Sequence, residues 1–227
     1  MRTLKQNVNI VCVCVGDKYN KEQVNRLHRM VERNCSLPFS FYCISDKQQD
    51  VNTIFVKKEL DLESYWWKIC LFNLDWSDPT LYLDLDVVIQ NNIDNIFDRI
   101  DHTLLTIRGE DIGEHYPYDG QFSVLTIPPA VINTSILGFV PCLHNSLYDL
   151  FLEDIDRNII TYYGLDRFVY HNYNKFSYLN YGVDYYHRAK GYSGQLMNNL
   201  NYNPESKVCI LSQCTEEHYK GLEIYFL

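Results

Sequence analysis

The sequence predicts an α/β domain around a parallel sheet, and three stretches carry that prediction. Residues 8–15 (VNIVCVCV) form an apolar run of strand length, closed by the turn pair Gly16-Asp17. Behind it Val24, Leu27 and Val31 recur at helical spacing, and residues 39–44 (FSFYCI) return to a strand pattern. Strand, helix, strand at this spacing is a βαβ unit, which requires parallel strands and a right-handed crossover. The third stretch, LYLDLDVVIQNNID at 81–94, is an apolar run that carries two aspartates.

The elements follow in order. Asn20 is placed to cap the first helix, with Gln23 at the reciprocal position of a capping box. Lys21, Glu22, Arg26, Arg29 and Arg33 fall mostly on its outer face. A short third strand is expected at 53–56. Residues 63–75, with Trp66, Trp67, Ile69, Cys70, Phe72 and Leu74, predict a second, strongly buried helix. A strand at 81–89 follows directly, then a short helix at 94–99 and a strand at 103–107. Residues 109–129 mix Asp, Glu, Gly, Tyr and Pro and predict a long loop, a common home of binding residues. An apolar stretch at 130–139 surrounds Asn133, Thr134 and Ser135; helices are expected at 143–154 and 166–172, and a last strand at 207–212. Residues 162–202 are dense in Tyr, His and Asn, a composition suited to polar contacts with small ligands rather than to a dry core. Neither a repeat nor a low-complexity linker divides the chain, so one domain is expected over 1–227.

Composition narrows the partners. The chain has 227 residues, 46% of them apolar and 22% charged, an ordinary globular profile. Its formal net charge of −9 argues against nucleic acid as a partner, because phosphate backbones need a basic face. A phosphorylated small ligand would need local basic groups or a metal. None of the eight cysteines forms a C-x-x-C pair, and several sit inside apolar runs, so reduced, buried thiols in a cytoplasmic protein are expected. The apolar run near the start is short, interrupted by Asn9, and lacks a small-residue cleavage site; a first strand is expected there rather than a signal peptide. No apolar run approaches the ~20 residues that span a bilayer.

The two aspartates raise the central question. On an ideal strand Tyr82, Asp84 and Asp86 share one face, with Leu81, Leu83, Leu85, Val87 and Ile89 on the other, and the two carboxylates stand roughly 6–7 Å apart at the backbone. Two unpaired anions on an interior face are costly, since desolvation and mutual repulsion add. The pair becomes sensible at the carboxyl end of the strand, where open parallel sheets bind ligands. A divalent cation such as Mg²⁺ or Mn²⁺, bridging to phosphate oxygens, would hold both there.

These residues carry a family resemblance. LYLDLDVVIQNNID, the preceding YWWKICLF (65–72) and the opening IVCVCVGDKYNKEQVNRL resemble nucleotide-sugar-dependent glycosyltransferases of the GT-A fold, the glycogenin-like and related phage and bacterial members. The likeness is close over the first half and looser over the second. It implies a single GT-A domain, a Rossmann-like mixed sheet flanked by helices on both faces, with a nucleotide-binding half at 1–100 and an acceptor-side half at 101–227. It implies that Val15, Gly16 and Asp17 cradle the nucleotide, with Tyr19 against the base, Asp46 at ribose or base, and Lys68 at phosphate or sugar. Asp84 and Asp86 would organise Mn²⁺ or Mg²⁺ on the diphosphate of a UDP- or GDP-sugar, with Asp86 the more direct ligand. INTSILGF (132–139) is similar to the family's sugar-pocket segment, which assigns Asn133 and Ser135 to that pocket. Two departures stand out. YYGLDRFVY (162–170) replaces a G-D-Q-type segment and recovers its aspartate only as Asp166, shifted by one residue. The C-terminal His-Gly that completes the family's metal site is absent; Ser212 stands near that position, and the nearest histidine is His218.

The function expected is sugar transfer to a carbohydrate or other hydroxyl-bearing acceptor, by retention or inversion. An inverting reaction needs a carboxylate base, for which Asp166, Asp184, Glu110 and Asp111 are candidates. The alternatives are a non-catalytic nucleotide-sugar or carbohydrate-binding relative and a metal-dependent nucleotidyl- or phosphotransferase. A P-loop kinase is excluded by the lack of its glycine-rich motif.

Overall fold

In the computed structural model, residues 7–57, 60–63, 65–109, 130–179, 182–187, 191–194 and 205–212 are described. Strand β1 (Val8–Cys14) is apolar on both faces: Val8, Ile10, Cys12 and Cys14 enter one core and Val11 enters the other. Such a strand belongs inside a sheet covered on both sides. It lies between β2 (Phe39–Ser45) and β4 (Thr80–Leu83), parallel to both. Beyond β2 runs β3 (Asn52–Phe55), also parallel. On the other side β7 (Ile132–Phe139) pairs antiparallel with β4 and with β6 (Leu104–Arg108), and β8 (Phe176–Tyr178) closes the edge. The large sheet is therefore mixed, seven strands in the order β3-β2-β1-β4-β7-β6-β8.

Helices cover both faces, and the short helix expected at 94–99 is α2 (Asp94–Phe97). On one, α1 (Lys21–Asn34) buries Val24, Leu27, Met30 and Val31, and its start is fixed by the expected capping box between Asn20 and Gln23. On the other lie a 3₁₀ segment at Trp66–Asn73, α3 (Asn145–Glu153) and α5 (Leu165–Asn172). Trp66, fully buried, stacks on Phe151 of α3 at 5.2 Å between centroids and meets Phe168 of α5 edge-on. Trp67 is buried as well, so both tryptophans pack the core. A second sheet of four strands, in the order β10-β9-β11-β5, is built from β5 (Val87–Ile89), β9 (Val183–His187), β10 (Gly191–Gly194) and β11 (Val208–Ser212).

Three expectations are corrected. The helix expected at 63–75 is a 3₁₀ segment over Trp66–Asn73, whose three-residue turn brings Trp66, Ile69 and Phe72, all fully buried, onto one line. The strand expected at 81–89 is two strands in two different sheets. The Val87 N–H donates to the Asp84 carbonyl at 3.2 Å, so residues 84–87 form a turn, and the alternation of faces does not run through it. The region rich in Tyr, His and Asn contributes to the dry core after all: Phe168, Val169, Val183 and Tyr185 are buried, and β8, β9 and β10 arise there. Helix α4 (Ile155–Tyr162), not expected from the sequence, has no fully buried side chain but packs Ile155, Ile159 and Tyr162, at helical spacing, partly buried against the core.

The seven described cysteines form no disulfide with one another, and five of them are buried. Among the described residues no helix is long and apolar enough to cross a membrane.

Candidate active site

The strand order places β1 beside β2 on one side and β4 on the other, so the chain leaves the carboxyl ends of β1 and β4 in different directions. A crevice opens at such a switch point. Here it is a cleft of about 130 Å³ lined by Val13, Val15, Lys18, Tyr19, Tyr65, Lys68, Tyr82, Asp84 and Asp86.

The Asp84–Asp86 turn is pinned at both ends. The Asp84 N–H donates to the Ser135 carbonyl of β7 at 2.9 Å, and the Leu211 N–H of β11 donates to the Asp86 carbonyl at 2.9 Å. The two aspartates thus sit where the chain steps from the large sheet to the small one. Their carboxylates have unequal surroundings. Asp84 receives the Lys68 ammonium at 2.7 Å on Oδ2 and the Tyr82 hydroxyl on Oδ1. The Tyr82 phenol is held protonated by burial first and by the Asp84 charge second, which keeps it a donor. Asp86 receives the Tyr19 hydroxyl at 3.2 Å on Oδ2, while its buried Oδ1 has no hydrogen-bond partner among the described residues. Burial, then the charge of Asp84, pushes the Asp86 carboxyl up to about 6, against the pull of Lys18 and Lys68. For Lys68 burial disfavours the charge, yet Asp84, Asp166 and Asp86 together raise its pKa above the ordinary lysine value. The ammonium is firmly charged.

The remaining expected residues fall into groups. Gly16, at φ +77°, adopts a conformation that favours glycine, and its N–H donates to Asp46 Oδ1 at 3.2 Å, tying the β1 loop to the β2 loop. Asp17 points away, 96% exposed and paired with Lys47 at 2.7 Å. Asn133 is buried and its Oδ1 accepts the Ser135 N–H at 2.8 Å, so it shapes the β7 backbone that holds Asp84. Asp166, in the first turn of α5, accepts hydrogen bonds from the backbone N–H and the hydroxyl of Thr134. Its charge acts on Lys68, which links α5 to the cleft. Asp184 is fully buried on β9 and does not line the cleft. His218, Glu110 and Asp111 lie outside the described residues.

Sequence reasoning missed Lys18, Tyr65 and Tyr82 as cleft residues. Tyr82 had a signal, since it sits two residues before Asp84 on the same strand face. Lys18 and Tyr65 sit in loop and turn positions where no periodicity points a side chain.

A carboxylate oxygen that is buried and unpartnered suits a hard divalent cation, which takes one or two carboxylates and completes its shell with phosphate and water. Asp86 Oδ1 fits that description. Among the described residues no group of three or more His, Cys, Asp or Glu side chains is placed to hold a metal.

No protein-family model matches the sequence, and no curated protein matches it. Solved structures do. The galactosyltransferase LgtC in complex with donor and acceptor sugar analogs aligns over 92% of this chain and 87% of its own, with a TM-score of 0.61 and 13% identity. The bifunctional glycosyltransferase WbbM aligns over 94% of this chain and 47% of its own, at TM-score 0.60 and 10% identity. The glycosyltransferase GlyE of Streptococcus pneumoniae TIGR4 aligns over 77% of this chain and 45% of its own, at TM-score 0.53 and 12% identity. The mixed sheet, its helical cover and these alignments together establish that the chain has the GT-A glycosyltransferase fold.

Proposed function

We propose that this protein is a glycosyltransferase that moves a sugar from a nucleotide diphosphate sugar to a hydroxyl-bearing acceptor. The observation that carries the reading is the Asp84–Asp86 turn at the carboxyl end of β4, facing Lys68 and the β1 loop across one cleft. The nucleotide-binding half is assigned to residues 1–100, which supply every residue lining that cleft, and the acceptor-side half to 101–227.

In this reading Val15, Gly16, Tyr19 and Asp46 form the nucleotide side. Lys68, kept charged by three carboxylates, offers fixed positive charge to the departing diphosphate. Tyr19 orients the Asp86 carboxylate through its hydroxyl, and Tyr82 with Lys68 orients Asp84. Asp86 would hold Mn²⁺ or Mg²⁺, assisted by Asp84; when bound, the metal acts as a Lewis acid on the leaving diphosphate. Asp166, held by Thr134 at the start of α5, stands on the acceptor side, and Ser135 and Asn133 stand behind the Asp84 turn.

A second reading, a binding relative without turnover, is favoured by one observation. Strand β11 carries Ser212 next to Leu211, whose N–H bonds to the Asp86 carbonyl, at the place where the resemblance calls for a histidine. One experiment separates the two. The protein is incubated with a panel of UDP- and GDP-sugars and Mn²⁺, following thermal shift and nucleoside diphosphate release. Metal-dependent stabilisation with slow hydrolysis is the outcome expected of the transferase. Stabilisation without release, even with acceptor saccharides present, favours the binding relative. No response to any nucleotide sugar rejects both.

A further inference from the structure

Besides the two aspartates, the cleft carries two lysines in opposite states. Lys68 is engaged: its ammonium lies 2.7 Å from Asp84, its side chain is only 16% exposed, and it comes from the packed 3₁₀ segment. Lys18 is not engaged. It is exposed at the mouth of the cleft, and its ammonium makes no hydrogen bond and no ion pair among the described residues. What it touches is the face of the neighbouring Tyr19 ring, at 4.7 Å from the centroid.

The loop that presents Lys18 is fastened on every side. Gly16 is bonded to Asp46, the Tyr19 hydroxyl to Asp86, and Asn20 closes the capping box of α1. A lysine on such a loop has its backbone fixed while its ammonium stays free for a ligand. Charge balance says what that ligand needs. Lys18 and Lys68 only offset Asp84 and Asp86, and Lys68 is already bonded to Asp84. A diphosphate entering the cleft therefore meets one cation that can turn to it without breaking a hydrogen bond or an ion pair, giving up only its contact with the Tyr19 ring.

We propose that Lys18 is a diphosphate-binding residue of this cleft, donating from its ammonium to a phosphate oxygen of the donor substrate. This rests on the functional reading above and extends it to a residue outside the D-x-D turn. Lys18 supplies charge from the β1 loop and Lys68 from the 3₁₀ segment, so the diphosphate is gripped by two elements. Part of that grip is independent of any metal, because a lysine ammonium binds a phosphate as a point charge.

The test uses inorganic pyrophosphate, UDP and GDP as probes, measured by titration calorimetry with and without Mg²⁺, on wild type, Lys18→Met, Lys18→Arg and Lys47→Met. Lys47 is an exposed lysine that pairs with Asp17 outside the cleft and controls for general charge loss. Lys18→Met is expected to weaken all three probes by about tenfold in both conditions, the size of one charge-assisted contact, and to flatten the salt dependence of binding. Lys18→Arg is expected to keep most of the affinity, and Lys47→Met all of it. Equal binding by Lys18→Met and wild type overturns the proposal while leaving the function reading intact. Equal losses in Lys18→Met and Lys47→Met overturn it too, since the effect is then diffuse. A wild type that binds none of the probes removes the function reading itself, and this inference with it.

Discussion

The ammonium of Lys68 lies 2.7 Å from Oδ2 of Asp84, a contact between the packed 3₁₀ segment and the end of β4. It makes the two aspartates unequal: Asp84 is bound inside the protein, whereas Asp86 keeps a buried carboxylate oxygen without a partner. Removing Lys68 leaves Asp84 and Asp86 largely buried with their main counter-charge gone. Lys68→Met is expected to lower unfolding free energy by about 3 kcal/mol, within the range for breaking a buried pair. Urea denaturation measures this, and a Lys68→Met/Asp84→Asn double variant should recover part of the loss if the two interact as the distance states.

Asp86 is expected to behave in the opposite way. Its raised pKa means that the folded protein disfavours the charged carboxylate. Asp86→Asn should therefore raise the melting temperature of the ligand-free protein. The same change should abolish metal-dependent stabilisation by nucleoside diphosphate and lower turnover by roughly 10²-fold or more. An unchanged response to metal and nucleotide in Asp86→Asn or Asp86→Ala would remove the metal from this site.

A variant at Asp166 tests chemistry apart from donor binding. The residue is held at the start of α5 by Thr134 and is not among the residues lining the cleft. With Asp166→Asn, kcat should fall roughly 10²-fold, the scale of a lost base or charge partner, while nucleoside diphosphate affinity changes little. Parallel losses in affinity and kcat would instead make Asp166 a positioning residue for Lys68.

His144 sets an acid limit. It is fully buried, between the edges of Phe139 and Tyr173, and burial lowers its pKa from 6.5 to about 4. The unfolded chain protonates this histidine below about pH 6.5 and the folded chain only near pH 4. Stability is therefore full above pH 6.5 and falls as pH drops through that window, by about 3 kcal/mol in total. His144→Leu should flatten the decline between pH 6.5 and 4 in a urea-unfolding series. An unaltered slope would show that other groups govern it.

Asp184 sets the opposite dependence. Burial raises its pKa, with the nearby Ser206 hydroxyl opposing, so the folded state binds its proton more tightly than the unfolded one. This acid costs stability as pH rises above the ordinary aspartate pKa. Asp184→Asn should raise the melting temperature at neutral pH and lose that advantage in acid. Destabilisation at neutral pH would mean that the ionised carboxylate is needed in the folded protein.

Much of the first half was legible because local rules and tertiary structure agree there. β1 and α1 form where apolar periodicity put them, and Asn20 and Gln23 make the capping box that their spacing announces. The second half was less legible. α4 buries its stripe of Ile155, Ile159 and Tyr162 only in part, and β8 to β10 are short strands in polar, aromatic sequence, formed only where other strands offer their edges. Asn133 shows the same limit within the site: its residue type suits a sugar pocket as well as a backbone bond, and only the structure shows its Oδ1 accepting the Ser135 N–H.

The sequence by itself determined that an apolar strand ends in two aspartates and that such anions need positive charge. Alternation placed Tyr82 and Asp84 on one face, and their hydrogen bond agrees. Only the tertiary structure decided that the strand breaks at Asp84, because β7 pulls one side of the turn and β11 the other across a sequence separation no local rule spans. It also decided that Lys68 pairs with Asp84 while Asp86 receives the Tyr19 hydroxyl. Charge pairing in a cleft depends on loops meeting at the ends of β1 and β4, and strand order, rather than residue spacing, brings those loops together.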